Sequence, residues 1–175
     1  MKNYVILIII LFASAAYCQK EFISETNNFK ITFPSEWDVK EGNNNIVVEA
    51  TKGLYIKLYV QVQKLEISDS VTIIYLPLDS LEQRIQNRYT GKYSYCTIIR
   101  SGYNTIDFVP AYYFFIKYNG ETEGYNDKYI SFQYQFIYKK YFYSLIATCQ
   151  EKKIVKNEDE FNRIFSTFSF LKKDY

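Results

Sequence analysis

Between Leu54 and Val62 apolar and polar side chains alternate without a break, and this restricts the stretch to one kind of element. Leu54, Ile56, Leu58, Val60 and Val62 fall on one side, with Tyr55, Lys57, Tyr59 and Gln61 on the other. A helix would scatter both sets around its axis. A strand, with its period of two, sorts them into one packed face and one half-wet face. Short runs of the same kind recur from Phe22 onward with turn residues between them, which predicts an antiparallel sheet. Phe29, Ile31 and Phe33 share a face, Pro34 ends that run, and Ser35-Glu36-Trp37 turns the chain. Trp37, the only tryptophan, is assigned to the core. The polar residues Glu41 to Asn45 then separate this piece from Ile46 to Ala50, and Thr51-Lys52-Gly53 reads as a hairpin link.

Two segments break the period of two. Leu81, Ile85 and Tyr89 recur every four residues, the stripe of a helix lying on a sheet, with Asp79 or Ser80 as its cap and Gly91 as its stop. Near the C-terminus, Asn157 is expected to cap a helix with Glu158, Asp159 and Glu160 in its first turn, where the helix dipole favours acids, and Glu160 in a capping box. Phe161, Ile164, Phe165 and Phe168 form its apolar face. Four further strands are predicted near Tyr93 to Arg100, Val109 to Tyr118, Lys128 to Tyr138 and Tyr141 to Cys149. Only Lys139-Lys140 joins the last two, so they form a hairpin. No repeat and no low-complexity linker divides the chain. The expected fold class is α+β: a single domain whose antiparallel sheet is flanked by a mid-chain helix and a C-terminal helix.

The order of these features resembles the PsbP-like superfamily. The likeness rests on Phe29-Lys30-Ile31-Thr32-Phe33-Pro34-Ser35-Glu36-Trp37, a mid-chain helix, long strands, and a terminal helix ending in Phe165-Ser166-Thr167-Phe168-Ser169-Phe170. It spans nearly the whole chain after the first 18 residues. The resemblance implies an α/β/α sandwich and a docking or accessory role, since members of that family bind a membrane complex, a small GTPase or a secreted effector. The matching residues are core and turn positions, so no partner site is carried over.

The first 18 residues have the three-part layout of an export signal: Lys2, an apolar run from Tyr4 to Ala13, then Ser14, Ala15 and Ala16 before Tyr17-Cys18-Gln19. An apolar run of about ten residues is too short for a membrane span of about 20. Residues 1–18 are therefore expected to be a removable signal, with residues 19–175 as the mature domain, periplasmic or extracellular. Cleavage fits after Ala15 or just before Gln19, the latter preferred. The rival reading, a lipoprotein acylated at Cys18, asks for a small residue where Tyr17 stands. Every later apolar segment is interrupted by Lys, Gln, Asn or Glu, so no span is expected.

Charge and composition exclude more than they select. The chain has 21 basic and 19 acidic groups, a near balance that predicts no steering toward nucleic acid. Histidine is absent, which removes the usual general base near neutral pH and the commonest transition-metal ligand. With Cys18 gone, Cys96 and Cys149 remain. In an oxidising compartment they are either a disulfide, if their Cα atoms come within about 7 Å, or two separately buried thiols. A carboxylate pair for glycoside hydrolysis can be drawn from Glu49, Asp79, Glu121, Glu123 or Asp127, but no motif fixes a separation. No serine stands in a nucleophile elbow. The loop Asn119 to Asp127 offers oxygen ligands at near-alternate spacing for calcium, although not with EF-hand spacing, and equally reads as a hairpin tip. No catalytic, metal or cofactor site is therefore assigned.

The second sheet face is the candidate interaction surface. Tyr55, Tyr59, Tyr129, Ser131, Gln133 and Gln135 combine aromatic bodies with hydrogen-bonding tips, a chemistry suited to a protein or glycan partner. The competing reading is that a helix covers them. The expected function is that of an exported, monomeric, non-enzymatic binding or accessory protein, with a carboxylate-dependent hydrolase and a structural envelope component as alternatives.

Overall fold

The structure is a computed structural model that describes residues 19–122 and 125–172. Its strands are β1 (Gln19–Ser24), β2 (Phe29–Pro34), β3 (Asp38–Glu41), β4 (Ile46–Lys52), β5 (Ile56–Lys64), β6 (Cys96–Ile106), β7 (Val109–Thr122), β8 (Tyr125–Tyr138), β9 (Tyr141–Gln150) and β10 (Ser169–Phe170). Helix α1 spans Leu78–Thr90 and α2 spans Ile154–Ser166. Seven strands pair antiparallel in the order β3-β4-β5-β9-β8-β7-β6. β1, β2 and β10 form a second, three-stranded antiparallel sheet. The expected α+β class holds, but the single expected sheet is two. β2, which carries Phe29, Ile31 and Phe33, pairs with β1 and β10, and these three side chains close over the large sheet instead of extending it.

The period-two pattern explains both layers. Ile56, Leu58, Val60 and Val62 of β5, Tyr143, Leu145, Ala147 and Cys149 of β9, and Ile130, Phe132, Tyr134 and Phe136 of β8 point to one side. There they meet α2 and the small sheet, and Trp37 is fully buried as expected. Tyr112, Phe114, Ile116 and Tyr118 of β7 point to the other side, beneath Leu81 and Ile85 of α1. Leu54, assigned to the packed side of its strand, is instead 83% exposed. It stands in the turn between β4 and β5, where Gly53 takes a φ of +62° that a side chain disfavours. The β8–β9 hairpin turns on Lys139 and Lys140, both at positive φ (45° and 54°), the primed turn that two-residue links favour. Asp107 and Phe108 make the same turn between β6 and β7, at 46° and 68°, without the Gly or Asn that would mark it in sequence. Strands β6 to β8 therefore run longer than their predicted cores.

Both helices form where the stripes place them but begin differently. Pro77 precedes α1, and neither Asp79 nor Ser80 supplies a side-chain cap. α2 begins at Ile154, three residues before the expected cap, so Asn157 and Glu160 are interior. They occupy the first turns of the inward stripe that Phe161, Ile164 and Phe165 continue, and all five are buried. Asn157 Nδ2 donates to the Lys153 carbonyl at 2.7 Å. Glu160 Oε1 accepts from Trp37 Nε1 at 2.7 Å, and Lys52 Nζ reaches both of its oxygens at 2.9 Å. A stripe that starts with two polar residues hides its own beginning.

The disulfide alternative is corrected. Cys96 and Cys149 are both free and buried. Cys96 lies on edge strand β6 and Cys149 on β9, with β8 and β7 between them, a separation of three strand spacings or about 14 Å. They also belong to opposite faces of the sheet, and a disulfide needs Cα atoms within about 7 Å. Burial raises the Cys96 thiol and pushes that of Cys149 up to about 11, a shift that disfavours the reactive thiolate.

Candidate binding face

Helix α1 packs on the outer side of β6, β7 and β8; past it the outer side of β5 (Lys57, Tyr59, Gln61, Gln63) stays exposed or half-buried, while Ser144, Ile146 and Gln150 of the intervening β9 are buried. This divides the predicted interaction face into two halves. Ser131, Gln133 and Gln135 are buried. Gln133 Nε2 donates to the Tyr89 hydroxyl of α1 at 2.7 Å and to Ser131 Oγ at 2.9 Å, and Gln135 Nε2 donates to Gln133 Oε1 at 3.3 Å. These three residues bind the helix to the sheet and are not a free surface.

Tyr55, Tyr59 and Tyr129 have a different fate. Together with Tyr93 and Tyr118 they line an open cleft of about 340 Å³ at the end of this face. Its floor is an aromatic cluster: Tyr118 lies with ring centroids 4.5 Å from Tyr93, 5.1 Å from Tyr89 and 5.8 Å from Tyr129, the last pair stacked. Gly120 sets the position of one wall. A Cβ at that site would come within 2.7 Å of the Tyr129 ring, so only glycine lets this ring lie against the strand. On the lip, the Lys153 ammonium stands 5.0 Å from the centre of the Tyr55 ring. Leu54 and Lys57 complete the mouth.

Burial raises the phenol groups of Tyr59, Tyr89 and Tyr118 above their ordinary value. They remain neutral hydroxyls, able to donate and accept hydrogen bonds at the edge of an apolar floor. Tyr93, Tyr118 and Gly120 were absent from the sequence-based set. Tyr93 follows the helix stop and Tyr118 ends a predicted strand, so no local pattern joins them to Tyr59. The pairing of β5 with β9, of β9 with β8 and of β8 with β7 brings Tyr118 and Gly120 to this end of the sheet, and Tyr93 packs on Tyr118.

Among the described residues none of the carboxylates proposed for hydrolysis lines this cleft. Glu49 lies on β4 opposite Lys40 and Tyr59, Asp79 is exposed in the first turn of α1, and Asp127 accepts from Gln150 Nε2 at 2.8 Å. Glu121 is described by its backbone alone, opposite Asn126. Glu123, with the centre of the proposed calcium loop, lies outside the described residues.

Two other acids, Glu36 and Glu160, do share a cavity of about 380 Å³. Lys52 Nζ joins them, at 3.1 Å from Glu36 and 2.9 Å from Glu160. A backbone hydrogen bond and then Lys52 hold the Glu36 carboxyl below its usual range. A general acid needs the opposite shift. This trio ties the turn after β2, the end of β4 and α2 together.

No protein-family model matches the chain, and no curated protein matches it. Solved structures do. Cyanobacterial PsbP (CyanoP) from Synechocystis sp. PCC 6803 superposes with a TM-score of 0.64 at 10% identity, covering 87% of this chain and 92% of the other. The chain has the PsbP-like fold. LpqN of Mycobacterium tuberculosis is also similar, with a TM-score of 0.60 at 9% identity over 86% of this chain and 90% of LpqN. A Bacteroides thetaiotaomicron protein gives 0.54 at 14% identity, over 89% of this chain and 50% of its own. At these identities the likeness extends to the PsbP-like fold and not to any site. Among the described residues no helix is long and apolar enough to cross a membrane.

Proposed function

We propose that the chain is an exported accessory protein that binds a protein partner through the tyrosine cleft, with residues 1–18 as its removable signal and residues 19–175 as its working domain. The observation that carries this reading is the cleft itself: five tyrosine side chains around an open cavity with the apolar Leu54, 83% exposed, at its mouth. Aromatic bodies with polar tips are enriched where proteins meet, and the exposed Leu54 beside them adds apolar surface for a protein side chain. Among the described residues no carboxylate lines the cleft, which supports binding over hydrolysis. LpqN is described as involved in cell envelope biogenesis, and that setting agrees with the signal-like first 18 residues.

The test uses the purified domain immobilised against the envelope and extracellular fractions of its source cells. The expected result is a protein retained by the wild type and lost with Tyr59→Ala plus Tyr55→Ala. Equal retention by both forms overturns the cleft as the site. Recovery of a glycan instead of a protein, or glycoside turnover abolished by a single Asp or Glu substitution, overturns the reading of the partner.

A further inference from the structure

A second cavity, of about 330 Å³, opens on the same sheet face along the flank of α1, near the far ends of β5 and β9. Leu65, Leu76, Leu81, Ile85, Ile137 and Phe142 form its walls, and no carboxylate lines it. Arg84 and Arg88 stand at its rim. Four residues apart on α1, they project from one helix face a single turn from each other. Both are exposed, and among the described residues neither guanidinium makes a hydrogen bond or an ion pair. Elsewhere Arg100 is paired with Glu158, and Lys52, Lys117 and Lys140 each have a carboxylate partner. The two guanidiniums thus stand beside an apolar trough with no carboxylate among its lining residues.

We infer that this cavity binds a long-chain fatty acid, with the acyl chain along the apolar walls and the carboxylate held between Arg84 and Arg88. The walls supply aliphatic and aromatic surface to an alkyl chain. The guanidiniums supply the charge-assisted, fork-like donors that a carboxylate accepts in pairs. An extended peptide fits the site poorly. β8 and β9 are interior strands whose backbone groups already pair with neighbours on both sides, so no strand can be added there. In the strand register the row Gln61, Ser144 and Gln135 lies between the row of Gln63, Phe142 and Ile137 at this cavity and that of Tyr59 at the tyrosine cleft. The inference stands on different residues from the proposed protein-binding cleft, and each can fail alone.

The experiment is calorimetric titration of the purified protein with dodecanoate below its micellar concentration, with dodecanol and acetate as probes of chain and head group. Dodecanoate is expected to bind one per chain, at least ten-fold more tightly than dodecanol, while acetate gives no saturable signal. Arg84→Gln with Arg88→Gln, both on the exposed helix face, is expected to weaken dodecanoate at least ten-fold without shifting Tm. Tyr59→Ala is expected to leave it unchanged. Absence of dodecanoate binding, equal affinity for dodecanol, or full affinity in the double arginine variant overturns the assignment. So does loss of binding with Tyr59→Ala, which would move the ligand to the other cleft.

Discussion

The two faces of the seven-stranded sheet are built from the same alternating strands and finished in opposite ways. On the α2 side, Phe132 stacks with Phe115 at 4.2 Å and Phe136 with Tyr143 at 5.2 Å, and rings from α2 and the small sheet fill what remains. On the α1 side, the helix packs on β6 to β8 and stops short of β5, and a tyrosine cleft and an arginine-rimmed trough open where cover ends. One face spends its side chains on stability. The other leaves neutral hydroxyls and unpaired guanidiniums in reach of solvent, and a binding function has to be sought there.

The largest test of this contrast is truncation on the closed face. Phe132→Ala or Phe136→Ala is expected to cost about 3–5 kcal/mol, the range for a large ring removed from a packed core, and to lower Tm by roughly 6–20 °C. Tyr59→Ala, half-buried on the open face, should cost measurably less by chemical denaturation. Comparable losses at both positions would erase the distinction between the faces. Next in size is the contact that seals the closed face at its edge. Glu160→Ala removes the acceptor of the Trp37 indole and the partner of Lys52, and is expected to cost roughly 1–3 kcal/mol. Glu160→Gln keeps an oxygen for the indole and should cost less. If both variants are as stable as the wild type, the seal lies elsewhere.

A smaller effect follows from the charges of that seal. Glu36 titrates lower in the folded chain than in the unfolded one, so its contribution is present above the unfolded carboxylate value and is lost as pH falls through the folded one. Burial alone would lower Lys52. Its hydrogen bonds to Glu160 and Glu36 outweigh this and raise it, so its contribution is present below the unfolded amine value and is lost as pH rises through the folded one. Lys52→Met should therefore flatten the melting temperature against pH at both ends. A profile unchanged by that substitution would remove the trio from the account. The smallest expected effect is none: reducing agent should leave Tm unaltered, because Cys96 and Cys149 are not bonded. Both thiols should react with a thiol reagent only as the chain unfolds. Rapid labelling of Cys149 in the native protein would show that the closed face admits solvent.

How much of this was legible in the sequence depends on the range of the signal. Local periodicity identified the strand from Ile56 to Val62, the stripe of Leu81, Ile85 and Tyr89, and the Lys139-Lys140 turn, because each is a pattern within a dozen residues. The small sheet was invisible, since β10 is two residues long and pairs with a strand more than a hundred positions earlier. The Asp107-Phe108 turn carries no glycine at its tip, and α2 places Asn157 and Glu160 on its inward side where apolar residues were sought. The candidate face was half legible. Alternation placed Tyr59 and Gln133 on one side of the sheet, but which of them α1 covers is set by where the helix lies across the strands. Residue type could not tell a half-wet sheet face from a helix seat.

Oxidative footprinting of aromatic side chains by mass spectrometry tests the asymmetry most directly, because it reads both faces in one native sample without knowledge of any partner. Tyr55, Tyr59 and Tyr93 are expected to be modified rapidly, while Phe132, Phe136 and Phe165 stay unmodified until the chain unfolds. Similar rates on the two sets, or protection of the cleft tyrosines matching that of the phenylalanines, would contradict an open face opposite a closed one.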